Sequence, residues 1–185
     1  MSDHSPEVGT MAFETRRAGP SDADAIAAAH QDSIRSLGSL FYSPEVVEEW
    51  GAGLTKDNRG DIYVRAMDRG EAFFIAVGRL NGELTVLGFA SHRVEAGEHR
   101  TAVYVRGAAS RCGIGSALFR LAEADAIATG GTSIHVAASL AAIEFYQAHG
   151  FQKVDRGEHR LGSGRLMPCV FMRKDLMTPG SCSIR

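Results

Sequence analysis

The stretch of this chain whose residue types and spacing could do chemistry runs from Val103 to Phe119. Val103, Tyr104 and Val105 are β-branched or aromatic and read as a strand, which Gly107 breaks. Cys112-Gly113-Ile114-Gly115-Ser116 follows, and from Ile114 through Leu118, Leu121 and Asp125 the spacing becomes helical. A strand, a glycine-bearing turn and a helix start can together hold an anion. The N–H groups of a helix's first turn have no partners inside the helix, and its dipole adds partial positive charge there. Gly113 and Gly115 carry no Cβ to keep a phosphate away. No Gly-Lys-Ser/Thr is present, so this is not a P-loop, and Arg111 and Leu118 leave the dinucleotide fingerprint without its further glycine. The same glycines also fit a tight strand-to-helix turn that binds nothing.

The elements that must position this turn can be read on either side of it. Phe13 to Arg17 forms a short strand, and Pro20-Ser21 opens a helix with Ser21 as its cap, Ile26, Ala29, Ile34 and Leu37 on its apolar face and Gly38 at its end. Ser43-Pro44 starts a short helix carrying Val46, Val47 and Trp50, and residues 55–69 hold room for one more. Ala72 to Val77 is a continuous apolar strand, Asn81-Gly82 a hairpin turn, and Leu84 to Ser91 the antiparallel partner. A loop at Glu95 to Glu98 leads into the strand that ends at Val105. After the helix, Gly130-Gly131 stops it and Ser133 to Ala137 forms a strand, giving a right-handed parallel crossover. Ser139 caps a further helix that Gly150 closes, and strands at about 151–158 and 168–174 make a terminal hairpin.

The chain of 185 residues can bury one substantial core, and its 44% hydrophobic and 23% charged content is that of a globular protein. No linker or repeat divides it: residues 12–176 read as one domain between a polar, disordered tail at 1–11 and a loose tail at 177–185. A net charge of −2 gives no reason to expect nucleic acid or a membrane surface as partner, and no apolar run is long enough to span a bilayer. Cys112, Cys169 and Cys182 lack metal-ligand spacing and are odd in number, and the seven histidines are scattered, so the expectations are no metal, no disulfide framework and a cytoplasmic location.

The order of elements, the Val103-Tyr104-Val105 strand and the Gly113-x-Gly115 turn resemble the GNAT superfamily of acetyl-CoA-dependent N-acetyltransferases. So does the run Ala138-Ser139-Leu140-Ala141-Ala142-Ile143-Glu144-Phe145-Tyr146-Gln147-Ala148-His149-Gly150-Phe151, and Pro168 to Leu176 is similar to that family's last strand. The resemblance covers about residues 12–176. It implies an α/β (α+β) fold: a mixed, mostly antiparallel sheet with helices on both faces and a V-shaped split between the fourth and fifth strands. It also implies acetyl-CoA as co-substrate, with pantetheine against the main chain of Val103 and Val105, the pyrophosphate over Ser110, Arg111, Cys112, Gly113, Ile114, Gly115 and Ser116, and Ser139 and Tyr146 beside the cofactor. Three positions depart from the family's usual residues, Ser110, Cys112 and Ala141, with Arg106 and Arg111 as candidates to supply lost positive charge.

By the same resemblance the acceptor is a primary amine of a small molecule or peptide. A lysine-like amine with a pKa of about 10.4 is almost wholly protonated near neutrality, so a base is useful. The family's pattern points to Glu98 as that base, with His99 and His92 as lesser candidates, and to Tyr146 as the acid that protonates the departing thiolate. Tyr42 and His92 are the expected substrate contacts, and a homodimer is a frequent assembly in the family. Each residue has a plainer reading: Glu98 as a solvated loop carboxylate, Tyr146 as a packed core aromatic, Trp50 as core. Two rival functions compete, a catalytically weak acyl-CoA-binding regulatory module and an unrelated nucleotide-binding domain.

Overall fold

Seven strands form one sheet in the order β1-β2-β3-β4-β5-β7-β6. The structure, a computed structural model, describes residues 11–54 and 59–176. The expected tails lie outside the described residues except for Met11, which packs against the core rather than trailing from it. The strands are β1 (Phe13–Arg17), β2 (Ala72–Leu80), β3 (Glu83–Glu95), β4 (Glu98–Val105), β5 (Ser133–Ser139), β6 (Gln152–Arg160) and β7 (Leu166–Asp175). The helices are α1 (Ala23–Leu37), α2 (Pro44–Gly51), α3 (Asp61–Asp68), α4 (Ile114–Ala128) and α5 (Ile143–Ala148). Every neighbouring pair of strands is antiparallel except β4 and β5.

Helices cover both faces. On the first, α1 and α3 lay Ile26, Ala29, Ile34, Tyr63 and Ala66 against Phe73, Ile75 and Phe89, with Tyr104 packed beside them. On the second, Ile114, Leu118 and Ala122 of α4 pack on Phe74, Ala76, Leu87 and Ala90. Phe73 and Phe74, or Phe89 and Ala90, go to opposite faces because successive side chains of a strand alternate. Among the described residues no helix is long and apolar enough to cross a membrane.

Three local expectations are corrected. Ser21 does not cap α1: the chain first makes a 3-10 turn at Pro20–Asp22, and Asp22 Oδ2 accepts the Gly19 N–H at 2.9 Å. The expected loop at Glu95 to Glu98 is a second tight hairpin, with Ala96 at φ 52° and Gly97 at φ 82°, so β3 and β4 run on to Glu95 and Glu98. Ser139 ends β5 in extended conformation and makes no side-chain cap; the N–H of Leu140 is instead taken by the Tyr42 hydroxyl at 2.8 Å.

Candidate active site

The parallel neighbours β4 and β5 pair at a single position, Arg100 with His135, and part beyond it. Their outward groups follow from ladder parity. Arg106 N–H bonds Leu87 O at 2.8 Å on the β3 side, and antiparallel pairs alternate between bonded and non-bonded. Tyr104 and Ala102 therefore spend their main-chain groups on β3, while Val105, Val103 and Thr101 turn theirs to the gap. On the other wall Leu176 N–H bonds Thr132 O at 2.8 Å. Ile134, Val136 and Ala138 thus pair with β7, and His135, Ala137 and Ser139 face β4. A wedge lined by main-chain donors and acceptors suits a peptide-like chain, since such groups need partners once enclosed.

Tyr146 stands on α5 beside this wedge, 2% exposed, and its hydroxyl accepts the Val103 N–H at 3.1 Å. Burial holds its phenol above the ordinary range, and nearby Tyr104 adds to the rise while the Val103 N–H opposes it. Tyr146 thus stays protonated at neutral pH and keeps an O–H to donate.

At the open end of β4, the chain makes a 3-10 turn over Gly107–Ala109 before α4. Ser110 N–H is spent on Gly107 O at 3.1 Å, so its amide is not part of an anion cradle. The first main-chain bond into α4 is from Ala117 N–H to Gly113 O at 3.1 Å. The amides of Ile114, Gly115 and Ser116 accordingly lie outside the helix ladder, as an anion site requires. Arg111 at φ 65° and Gly113 at φ 80° turn the chain tightly there. The two glycines differ in purpose. A Cβ on Gly113 would meet open space, so its backbone angle is what demands glycine, whereas a Cβ on Gly115 would lie 3.0 Å from Phe145 Cε2. Arg106 is not free to supply charge: its Nε donates to Val86 O at 2.7 Å, and a terminal nitrogen sits 3.5 Å from Asp32.

A cavity of about 480 Å³ joins the wedge to the first face of the sheet; its walls include Val103, Tyr104, Ala137, Ser139 and Tyr146, then His30, Trp50, Tyr63, Glu71, Arg93, Glu95 and Arg100. Tyr42 is a latch beside it, not one of its lining residues. Its hydroxyl donates to Pro168 O at 2.7 Å and accepts the Leu140 N–H at 2.8 Å, and its ring meets Trp50 edge-on. Glu49 of α2 adds a second tie, to Arg165 at 2.7 Å. His30 Nδ1 lies 2.6 Å from the Tyr63 hydroxyl, and burial pushes its pKa down to about 3.

The expected substrate contact His92 is elsewhere. With β3 continuing to Glu95, alternation sends Ser91 and Arg93 to the cavity and His92 to the face of α4. There it is 3% exposed, with Nδ1 2.7 Å from Asp125 and Nε2 3.0 Å from His99 Nδ1. That placement also removes His99 from the acceptor side. Glu98 shares the cavity's face but lies past its mouth, roughly half exposed and bonded to Arg100 at 2.8 Å. The cavity brings together Val103, Ser139 and Tyr146, with Val105 at the end of β4 outside its lining, and does not bring Glu98 or His92 to them. The sequence reading missed His30, Tyr63, Glu71, Arg93 and Arg100. The signal for Arg93 was present in the alternation Phe89, Ser91, Arg93, Glu95, a polar continuation of one strand face.

A sheet split between two parallel neighbours, with helices on both faces and a glycine turn at the open end, is an architecture that can be compared with known folds. The family model described as Acetyltransferase (GNAT) domain matches residues 69–153. A GCN5-related N-acetyltransferase from Rhodopseudomonas palustris is similar at 27% identity, covering 90% of this chain and 98% of its own, with a TM-score of 0.74. The PaiA N-acetyltransferase of Thermoplasma acidophilum, solved with coenzyme A, is similar at 20% identity over 89% and 99% with a TM-score of 0.69. YncA of Salmonella typhimurium, solved with acetyl-CoA, is similar at 22% identity over 92% and 99% with a TM-score of 0.64. Among curated proteins none matches by sequence. The chain is thus similar to GNAT acetyltransferases in sequence over residues 69–153 and in fold over nine-tenths of its length.

Proposed function

We propose that this chain transfers an acetyl group directly from acetyl-CoA to a primary amine of a small molecule or peptide. The observation that carries the reading is the opening of β4 from β5 beyond Arg100 and His135, with the Tyr146 hydroxyl at its edge. Acetyl-CoA supplies an activated acyl group on a thiol leaving group. The residues of this chain fit it: the Val103 carbonyl and the gap-facing main-chain groups of Val105, Ala137 and Ser139 match an amide-bearing arm. The first-turn amides of α4 match a diphosphate.

In this reading the Val105 N–H donates to the thioester oxygen, where negative charge grows as the amine attacks. One such donor is typically worth about a hundredfold in rate. Tyr146, kept neutral by burial, gives a hydrogen bond and then a proton to the departing sulfur as the carbon–sulfur bond breaks. The amine attacks in its neutral form, the proton shed by its nitrogen passes to water at the cavity mouth, and Tyr146 regains one from the same water. Glu98 is outside the cavity and holds Arg100 in place, so the proposal gives it no step.

The test is to incubate the protein with acetyl-CoA and a panel of amines and to measure free thiol. Amine-dependent thiol release is expected. Tight cofactor binding with no release from any amine would instead support a regulatory acyl-CoA-binding module.

A further inference from the structure

The cavity's mouth carries a row of charges of alternating sign. Arg93 lies 3.6 Å from Glu71 and 3.4 Å from Glu95, and Arg100 Nε lies 3.2 Å from Glu95. All four side chains line the same cavity, as do His30, His135, His159 and the phenols of Tyr63, Tyr104 and Tyr146, with Glu98 behind Arg100. The Arg93 contacts are longer than the 2.7–2.9 Å of a good charge-assisted bond. Arg100 Nε is enclosed and makes no hydrogen bond among the described residues, despite its nearness to Glu95. Arg93 is thus held loosely and Arg100, though bonded to Glu98, keeps one enclosed N–H without an acceptor, which is costly. Glu71, at 16% side-chain exposure, is the most enclosed of these carboxylates, and among the described residues its one close cation is that distant Arg93. Behind the charges the wall turns aromatic, with Trp50, Tyr63, Phe73, Phe89 and Tyr104.

We propose that the acceptor carries both signs: an α-amino acid with an apolar side chain. Its ammonium sits at Glu71, its carboxylate at Arg93 and Arg100, and its side chain on the aromatic wall. This rests on the transferase reading above and sharpens it. A carboxylate matches a guanidinium's planar fork, and an amine one carbon away matches the neighbouring anion. A polyamine fits poorly, because its second ammonium would meet Arg93 or Arg100. A cavity of about 480 Å³ has the size of a small-molecule site.

The experiment compares phenylalanine with phenethylamine, leucine with isoamylamine, and both with spermidine. Thiol release from acetyl-CoA gives kcat/KM. Separately, fluorescence of Trp50, the single tryptophan of the chain, reads binding of the same compounds with coenzyme A present. The expected result is at least a tenfold preference for the amino acid over its decarboxylated partner in both readouts. Arg93→Gln should bring that ratio towards one, and Arg93→Lys should restore part of it. Equal or better binding of the amine without its carboxylate overturns the proposal, as does a ratio that Arg93→Gln leaves unmoved. A carboxylate preference in binding with no thiol released from any compound upholds the site and defeats the transferase reading.

Discussion

The Tyr146 hydroxyl bridges the wedge to the Val103 amide at 3.1 Å, joining the short helix α5 to the inner strand β4 across the place where β4 and β5 separate. A phenol in that position is held by its oxygen, which leaves its proton to be given elsewhere. Tyr146→Phe should lower kcat about a hundredfold, while acetyl-CoA affinity by calorimetry changes only slightly. Burial raises this phenol's pKa, so the wild-type rate should show no loss from its ionisation up to about pH 10. Unaltered turnover in the variant would remove Tyr146 from the chemistry.

Gly88 fixes where β4 runs. Register slips between Ala76 and Val77, so Leu87 is an extra residue in β3, and Gly88 faces Val105. A Cβ on Gly88 would lie 2.6 Å from Tyr104 O and 3.0 Å from Val105 Cα. These are main-chain atoms that cannot rotate aside. A bulge beside a site bends the strand and increases its twist, and here the strand it presses on is the wall of the wedge. Gly88→Ala should cost roughly 3 kcal/mol in urea denaturation and weaken acetyl-CoA binding in whatever remains folded. A stable variant with normal binding would show that the strands can shift freely.

Much of this arrangement could be read from local pattern. Asn81-Gly82 marked the first hairpin because both residues accept the left-handed angles it needs, and they sit at φ 52° and 86°. The turn from Gly113 into α4 and the helix bearing Phe145 and Tyr146 were legible for similar reasons. The second hairpin was not, since Ala96 takes a left-handed φ without being a residue that advertises it. That one turn decides the length of β3, and its length decides that His92 belongs to the face of α4. Contacts between distant residues left no trace in the sequence. Tyr42 is 98 residues from Leu140 and 126 from Pro168, and Arg106, read as a free charge, is claimed by Asp32 of α1.

Tyr42 separates a latch from a substrate contact. Its hydroxyl closes two main-chain bonds, to Pro168 O and from Leu140 N–H. Tyr42→Phe keeps the ring against Trp50 but leaves both groups without it. The expected loss is about 1–3 kcal/mol of stability, with KM for the acceptor nearly unchanged at a temperature where the variant is folded. A raised KM without lost stability would return Tyr42 to the acceptor site.

His30 should make folding sensitive to mild acid. Its ring is enclosed by Tyr63, Phe89 and Tyr104, and burial pushes its pKa down to about 3, against about 6.5 in an unfolded chain. Between those values the unfolded chain binds a proton that the folded chain refuses, so stability is full above about pH 6.5 and falls as pH drops. The slope approaches 1.4 kcal/mol per pH unit, and from pH 7 to pH 5 the loss from this one group is about 2 kcal/mol. His30→Gln offers Tyr63 a polar partner and does not titrate. Its urea midpoint should lie below wild type at pH 7 and converge on it, or cross it, by pH 5. If the two midpoints fall in parallel with acid, His30 is not the group that carries the pH dependence, and the protonated ring is accommodated within the fold.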